Sequence, residues 1–397
     1  MQKVIVPMPL LNSSRINSQM DNAPLAVYIH WPYCARICPY CDFNVYKRKP
    51  DDGLMAAILT DLSYWRDRSG PRQITSIHFG GGTPSLLRPD QIRAVIDQVD
   101  QLWGVDNIEI ALEANPNDAP NGDYKPFAKA GINRLSLGVQ SFDDDGLKKL
   151  GRDHSADQAI NVIDQALDVF PSVSADLIFG WSDQSRQSLE RDLDILLEKG
   201  VHHFSTYQLT IEAGTAFAKA EARGDRRAID PDKSAEFYDY IRDRLCASGF
   251  DHYEVSNFAR ASHQSQHNLA YWRAHDYVGV GPGAHGRLTL GDKKEATIAY
   301  MRPGQYKEQI KQNGHGIETR DLLTSQERAE EYLLMGLRIE AGISLKTYSQ
   351  YADRPLDESL MAELAEMGFL VRNDDHLKMT TSGRLVLDHI TERLLVG

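Results

Sequence analysis

Two hydrophobic periods alternate along the chain from Ala26 to about Arg260. Short β-branched, apolar runs end in small or polar residues, and each is followed by a segment whose apolar positions recur at helical spacing. The runs predict strands over 26–30, 74–79, 107–112, 133–139, 174–179 and 204–209. The intervening segments predict helices over 54–65, 89–102, 124–129, 156–168 and 186–198, with a sixth from about 232 to 247. Strand alternating with helix implies parallel pairing through right-handed crossovers. Six such units suit an α/β fold built as a partial (β/α)6 TIM-like barrel better than a small doubly wound sheet, two architectures that the pattern alone does not separate. The pattern changes after about residue 300. Thr324-Ser325-Gln326-Glu327 reads as a capping box opening a helix to about 339, and a second helix follows over 357–366. A hairpin over 368–380 turns at Asn373-Asp374-Asp375, and a last helix covers 382–394. Helices followed by a hairpin predict a C-terminal helical, winged-helix-like domain. The expected division is a leader over 1–24, a barrel core over 25–260, a connecting segment over 261–310 and the C-terminal domain over 311–397.

The loops that close the predicted strands are chemically distinctive. Gly80-Gly81-Gly82-Thr83, Glu113-Ala114-Asn115, Gln140-Ser141-Phe142 and Gly180-Trp181 each follow a strand's carboxyl end. In barrels and open α/β sheets that edge carries the site, so these loops are expected to converge.

Composition narrows the function classes. Among 397 residues, 44 Lys and Arg face 56 Asp and Glu, a net charge of −12. That acid excess disfavours nucleic acid as a partner, and Asp374, Asp375, Asp388 and Glu392 make the winged-helix-like module a poor DNA reader. The module is read as a packing or partner-binding domain. No run of 18 apolar residues predicts a transmembrane segment. The apolar stretch 4–11 is broken by Pro7 and Pro9 and lacks a small-residue cleavage site, so it reads as leader and not as signal peptide. Four cysteines in a chain of this length are no secreted disulfide framework; a reducing, cytoplasmic compartment fits, with clustered thiols binding metal or acting in catalysis.

Three of those cysteines form Cys34-x3-Cys38-x2-Cys41, just after the first predicted strand. Pro32 and Pro39 keep the segment from being one helix, and a loop can wrap three thiolates around one centre. Soft thiolates select zinc, copper(I) or iron–sulfur clusters. A structural zinc site wants four protein ligands, which His30 or the distant Cys246 would have to complete. A [4Fe–4S] cluster held by three thiolates instead leaves one iron open to a small molecule. Cys246 lies in a helical pattern and reads as a buried small side chain.

Cys-x3-Cys-x2-Cys together with Gly80-Gly81-Gly82-Thr83-Pro84 resembles the radical S-adenosylmethionine superfamily. The resemblance implies a [4Fe–4S] cluster on Cys34, Cys38 and Cys41, whose open iron chelates S-adenosylmethionine and reduces it. It narrows further through Val27-Tyr28-Ile29-His30-Trp31-Pro32, Leu112-Glu113-Ala114-Asn115-Pro116, Gly138-Val139-Gln140-Ser141-Phe142 and Asp176-Leu177-Ile178. These are similar to the oxygen-independent coproporphyrinogen oxidase group, which contains both true oxidases and HemW-type heme chaperones. Two features favour the chaperones. Oxidases carry a further Cys where this chain has Phe43, and His267-Asn268-Leu269-Ala270-Tyr271-Trp272 matches the chaperones' His-Asn-x-x-Tyr-Trp heme motif. A His can hold heme iron axially, and Tyr271 and Trp272 can cover porphyrin.

By position, the resemblance places Tyr28, Gly81 and Glu113 on the cofactor, with Tyr40 another cofactor-side residue. Gly82, Thr83, Gln140, Arg152 and Asp176 match positions lining a second S-adenosylmethionine or substrate site in the oxidases. Heme and a heme-accepting protein, a membrane-associated one included, are the implied partners. Coproporphyrinogen oxidation is the enzymatic alternative, and a zinc-stabilised binding domain the second. Gly180-Trp181-Ser182 departs from the group's Gly-Leu-Pro, so that loop is expected to be remodelled. Gly281–Gly286 satisfies a dinucleotide-binding expression, but the strand-like Arg287-Leu288-Thr289-Leu290 follows it, so a tight turn is expected there. His263 and His267 are four apart, but position 264 is Gln and not the Glu of a zinc protease motif; His275 and His285 are weaker candidates for heme contact.

Overall fold

A computed structural model describes residues 24–47, 53–118 and 123–396. The leader expected over 1–24 therefore lies outside the described residues, apart from Pro24. Each of the six expected strands forms: β1 (Pro24–Trp31), then, after the two-residue strands β2 (Tyr33–Cys34) and β3 (Tyr46–Lys47), β4 (Gln73–Gly81), β5 (Glu109–Ala114), β6 (Arg134–Gln140), β7 (Ser172–Phe179) and β8 (His203–Gln208). β1, β4, β5, β6, β7 and β8 pair in that order, all parallel. Helices return the chain between them, from Leu54–Ser69 to Arg186–Lys199. This is the partial (β/α)6 barrel that the alternation predicts.

The strands alternate with period two, but both faces are enclosed. Leu25, Val27 and Ile29 of β1 and Ile77 and Phe79 of β4 point outward into the apolar layer beneath the helices. The intervening positions point into the barrel and are polar: Tyr28, Ser76, His78, Glu113, Ser136, Ser174 and Asp176. A barrel interior lined this way is a place for ligands and hydrogen-bonded networks, not a packed hydrocarbon core.

The sheet runs past the limits expected at 260 and 310. β9 (Asp251–Glu254) and β10 (Asn257–Ala259) add antiparallel strands beyond β8. On the other side β11 (Asp276–Val280) pairs parallel with β1, followed by antiparallel β12 (His285–Leu290), β13 (Lys293–Ala299) and β14 (Ile317–Leu322). The twelve strands form one sheet, so the chain leaves it at about residue 323. These strands are short, and several are exposed or charged, as in Ile-Glu-Thr-Arg-Asp-Leu, so apolar periodicity does not mark them. Gly281–Gly286 lies between antiparallel β11 and β12, as the turn reading requires; a Cβ on Gly281 would sit 2.2 Å from the His30 carbonyl oxygen.

The C-terminal region has its own apolar core, including Leu333, Leu337, Ile343, Met361, Leu377 and Ile390. Its first helix, Ser325–Gly336, is closed by the expected capping box between Thr324 and Glu327. Helix Glu358–Glu366 and the hairpin β16 (Leu370–Asn373) and β17 (His376–Met379) also form, and β15 (Ile343–Ser344) joins them. A short helix Leu345–Tyr351, capped by Ser344, adds to the pattern. The last helix is two, Thr381–Leu385 and Leu387–Val396, broken at Val386 (φ −122°, ψ 26°). A Cβ on Gly383 would clash with the Phe369 carbonyl oxygen, so the first helix packs closely there, and Arg384 donates to the His252 carbonyl. Among the described residues, no helix is long and apolar enough to cross a membrane. Cys246 is exposed, contrary to expectation: its helix buries Ser234, Phe237, Ile241 and Leu245, and residue 246 falls beside that stripe.

Candidate functional site

The strand-end loops converge as expected, around a cavity of about 460 Å³ at the carboxyl mouth of the barrel. Cys34, Cys38 and Cys41 line one side of it. Two backbone bonds tie the cysteine loop to the glycine loop, Gly82 N–H to the Trp31 carbonyl (2.7 Å) and Thr83 N–H to the Tyr33 carbonyl (2.9 Å). The glycines are needed for this approach. A Cβ on Gly81 would lie 2.6 Å from the His30 ring, and one on Gly82 would lie 2.8 Å from the Tyr33 carbonyl and 3.0 Å from Cys34 Sγ. Asn44 anchors the far end of the cysteine loop to the Pro282 carbonyl at 2.9 Å. Burial pushes the Cys34 thiol up, and that of Cys41 up to about 11. Unpaired thiolates are disfavoured here, and a bound cationic centre would reverse that preference. Among the described residues, no group of three or more His, Cys, Asp or Glu side chains is spaced to hold a single metal ion; the three cysteines share the cavity wall.

With the cysteines, Gly81, Gly82, Thr83, Glu113, Gln140, Arg152, Asp176 and Tyr40 all line the same cavity. The Glu113 side chain is 36% exposed to it. One Glu113 oxygen accepts from His78 Nε2 at 2.9 Å and the other from Gly81 N–H at 3.2 Å. Arg152 is no solvated surface charge. It donates to Cys38 Sγ (3.2 Å), the Gly138 carbonyl (2.9 Å) and Asn115 Oδ1 (2.5 Å). Gln140 holds a left-handed backbone (φ 69°), and its Oε1 is buried without a partner. Strain and an orphaned acceptor in one residue at a cavity wall mark a position kept for a ligand. Burial pushes the Asp176 carboxyl up to about 6, although Ser136 and Ser205 hydrogen-bond to it. Trp181, in the departing Gly-Trp-Ser loop, is buried against Gly146, Leu150 and Ile178, behind the cavity wall. Phe43 stands at the rim, 60% exposed.

Tyr28 is placed one layer lower. It sits under Gly80, where a Cβ would meet its ring at 2.9 Å, and its hydroxyl bonds His30 Nδ1 at 3.1 Å. His267, Tyr271 and Trp272 lie at the opposite end. Their helix, Gln266–Trp272, is capped by Ser265 and docks on the barrel floor, where Glu109 accepts the N–H groups of Gln266 and His267 at 3.1 Å each. His267 points up into the barrel and is 1% exposed. Both ring nitrogens are engaged, Nδ1 with Ser76 Oγ at 2.9 Å and Nε2 with the Tyr271 hydroxyl at 2.7 Å. Its ring stacks on His78 at 4.6 Å. Trp272 faces the C-terminal region, with the Arg338 guanidinium 4.7 Å over its ring. Arg338 in turn pairs at 2.7 Å with Glu254, which is fully buried and also accepts from Ser256 N–H at 3.0 Å. His263, His275 and His285 are all more accessible than His267.

Two contributors escaped the sequence reading. Asn115 bridges Arg152, Thr83 and Asp118 inside the cavity wall. His78 fixes Glu113 from below; the signal for it was the every-second-residue sequence Ser76, His78, Gly80 on β4.

Comparison with known proteins agrees with this architecture. Residues 28–196 match the radical SAM superfamily and residues 323–386 the HemN C-terminal domain. Radical S-adenosyl methionine domain-containing protein 1, mitochondrial, of Bos taurus is 38% identical over 93% of this chain and 87% of its own length. Heme chaperone HemW of Bacillus subtilis is 33% identical over 91% of this chain and 96% of its own, and that of Escherichia coli 33% over 94% and 98%. Among solved structures, coproporphyrinogen III oxidase (HemN) from Escherichia coli superposes with a TM-score of 0.78 at 20% identity, covering 96% of this chain and 93% of that one. That likeness is one of fold.

Proposed function

Because the chain belongs to the radical SAM superfamily, and within it to the family of heme chaperone HemW and radical S-adenosyl methionine domain-containing protein 1, we propose that it is a heme chaperone. It would carry a [4Fe–4S] cluster on Cys34, Cys38 and Cys41, bind S-adenosylmethionine beside it, and pass heme to a heme-dependent acceptor protein. The observation that carries this reading is the convergence of three cysteines, the glycine loop, Glu113 and the unpartnered Gln140 Oε1 on one cavity. The donor set fits the groups. Three soft sulfurs suit a cluster with one open iron, and a half-exposed carboxylate accepts from an ammonium or from ribose hydroxyls.

When bound, the cluster and S-adenosylmethionine together supply one-electron chemistry. The chain's own residues position and shield. Gly81 and Gly82 let backbone approach closely, His78 orients Glu113, and Tyr40 and Phe217 close the wall beside the cysteine loop. At the floor, Tyr271 and Trp272 are partly buried aromatic surface, and the His267 imidazole would be free to ligate heme iron once it leaves Ser76 or Tyr271. The free thiols of all four cysteines suit a reducing compartment such as the cytoplasm.

Coproporphyrinogen oxidation is the second reading. The cavity favours it where Arg152, Gln140 and Asp176 present polar groups beyond those a cofactor needs. Phe43 at the rim, in place of the oxidases' further Cys, argues against it. Titration of the anaerobically reconstituted protein with heme decides. A saturable Soret band that weakens in His267→Ala supports the chaperone, whereas conversion of coproporphyrinogen to the vinyl product supports the oxidase.

A further inference from the structure

Three rings pack together between the floor and the mouth. His267 stacks on His78 at 4.6 Å with planes 14° apart, and Tyr28 stacks on both, on His78 at 6.0 Å and 22° and on His267 at 5.9 Å and 27°. His78 carries the bond from this cluster to Glu113. Its Nε2 donates to Glu113 at 2.9 Å, while its Nδ1 is buried with no partner. Its orientation is therefore set at one edge by the Glu113 carboxylate and otherwise by the His267 and Tyr28 rings, of which His267 is the nearer. β4 carries both ends of the linkage, because Ser76, two residues before His78, holds His267 Nδ1 at 2.9 Å.

We infer that His78 is a positioning residue coupling the mouth cavity to the floor helix, such that S-adenosylmethionine at Glu113 and heme iron at His267 antagonise one another. This rests on the assignment of those two ligands made above. Withdrawing His267 to bind iron uncovers one face of His78 and opens its unpartnered Nδ1 to a competing donor. Glu113 then keeps only one of its two tethers, the Gly81 N–H at 3.2 Å, and a ligand whose ammonium or ribose hydroxyls it holds is bound less tightly. Conversely, a ligand that fixes Glu113 fixes His78 and holds His267 in the stack. Linkage requires the two effects to be equal in size. A coupling of about tenfold lies within the ordinary range for two linked sites. Loading the mouth would then favour release of heme from the floor, the direction a delivery protein needs.

The test is a pair of titrations on the anaerobically reconstituted full chain. Hemin is titrated with and without saturating S-adenosylmethionine and followed by the Soret band. S-adenosylmethionine is titrated with and without heme and followed by the cluster's electron paramagnetic resonance (EPR) signal. The expected result is that each ligand weakens the other about tenfold, by equal factors. His78→Phe keeps a stacked ring but no donor for Glu113, and His78→Gln keeps a donor but no stack; in either variant the factor falls to about one. Independent binding in the wild type, mutual strengthening, or a factor that survives both substitutions overturns the inference. Absence of saturable heme binding is a different result: it defeats the heme assignment itself and this inference with it.

Discussion

At the carboxyl mouth of the barrel, polar groups face an open cavity and two of them lack partners; at the amino floor, the groups that hold His267 are matched, while Trp272 Nε1 beside them is buried and unpaired. Gln140 Oε1 and Arg152 Nε at the mouth are buried and unpaired, and burial pushes the Asp176 carboxyl up to about 6. His267 at the floor uses both ring nitrogens, Glu109 accepts two helix N–H groups, and Glu254 is paired with Arg338. Function explains the contrast. A site that takes a ligand directly is left incomplete without it, so stability is given up locally. A site that takes a ligand only after opening is sealed by ordinary packing and hydrogen bonds.

The sharpest way to break this comparison is at the cysteines. Replacing Cys34, Cys38 or Cys41 with Ala should take reconstituted iron from about four per chain to near zero, with far-ultraviolet circular dichroism unchanged, because Cys38 and Cys41 lie on a loop, Cys34 ends a two-residue strand, and none belongs to the apolar core cluster. If iron survives all three substitutions, the mouth is not the metal site. At the floor, His267→Ala should weaken heme binding at least about tenfold, the loss of one axial ligand. Because His267 is buried, the observed binding rate should plateau with heme concentration, limited by opening; a rate that rises linearly throughout would show that the floor is not sealed.

Stability separates the two ends with opposite signs. Arg338→Met strips the buried Glu254 of its cation, leaving Ser256 N–H and Asn257 as partners. It should destabilise by about 2 kcal/mol in urea unfolding, less than a wholly buried pair because Arg338 is partly exposed, and should raise the heme on-rate. The mouth behaves in reverse. Burial pushes Asp176 up to about 6, above the ~3.9 of an unfolded Asp. Between those values the folded chain holds the extra proton, so stability falls as pH rises from ~4 towards 6, and the loss is complete above that. Asp176→Asn should abolish that slope and stabilise at pH 8 by roughly 1–2 kcal/mol. The smallest effect is Gln140→Gly, which relieves the left-handed backbone and should stabilise by up to about 1 kcal/mol while weakening S-adenosylmethionine. A loss of stability there would mean that Gln140 is held by packing alone.

The mouth was largely legible in the sequence, and the floor was not. Strand-end loops after 79, 112, 139 and 179 must share one edge once the strands are parallel, so Gly81, Glu113 and Gln140 converge whatever the side-chain detail. The cysteine spacing needed only a loop. The floor depends on pairs far apart in sequence, such as Ser76 with His267 and Glu254 with Arg338, which no periodicity encodes. Its helix has only seven residues, too short to show a buried face. Tyr28 was placed on the cofactor by resemblance, but β1 carries it one layer below Gly80. The sheet's outer strands were missed because β14 exposes Glu318, Arg320 and Asp321, a polar edge that reads as loop.

The central claim is that three cysteines hold a cluster whose open iron meets S-adenosylmethionine beside Glu113. The most direct measurement is EPR spectroscopy of the reduced, anaerobically reconstituted protein before and after adding S-adenosylmethionine. The account predicts a [4Fe–4S] signal that changes on addition, with the change diminished in Glu113→Gln. A signal indifferent to S-adenosylmethionine, or stoichiometric zinc in place of iron, would contradict it.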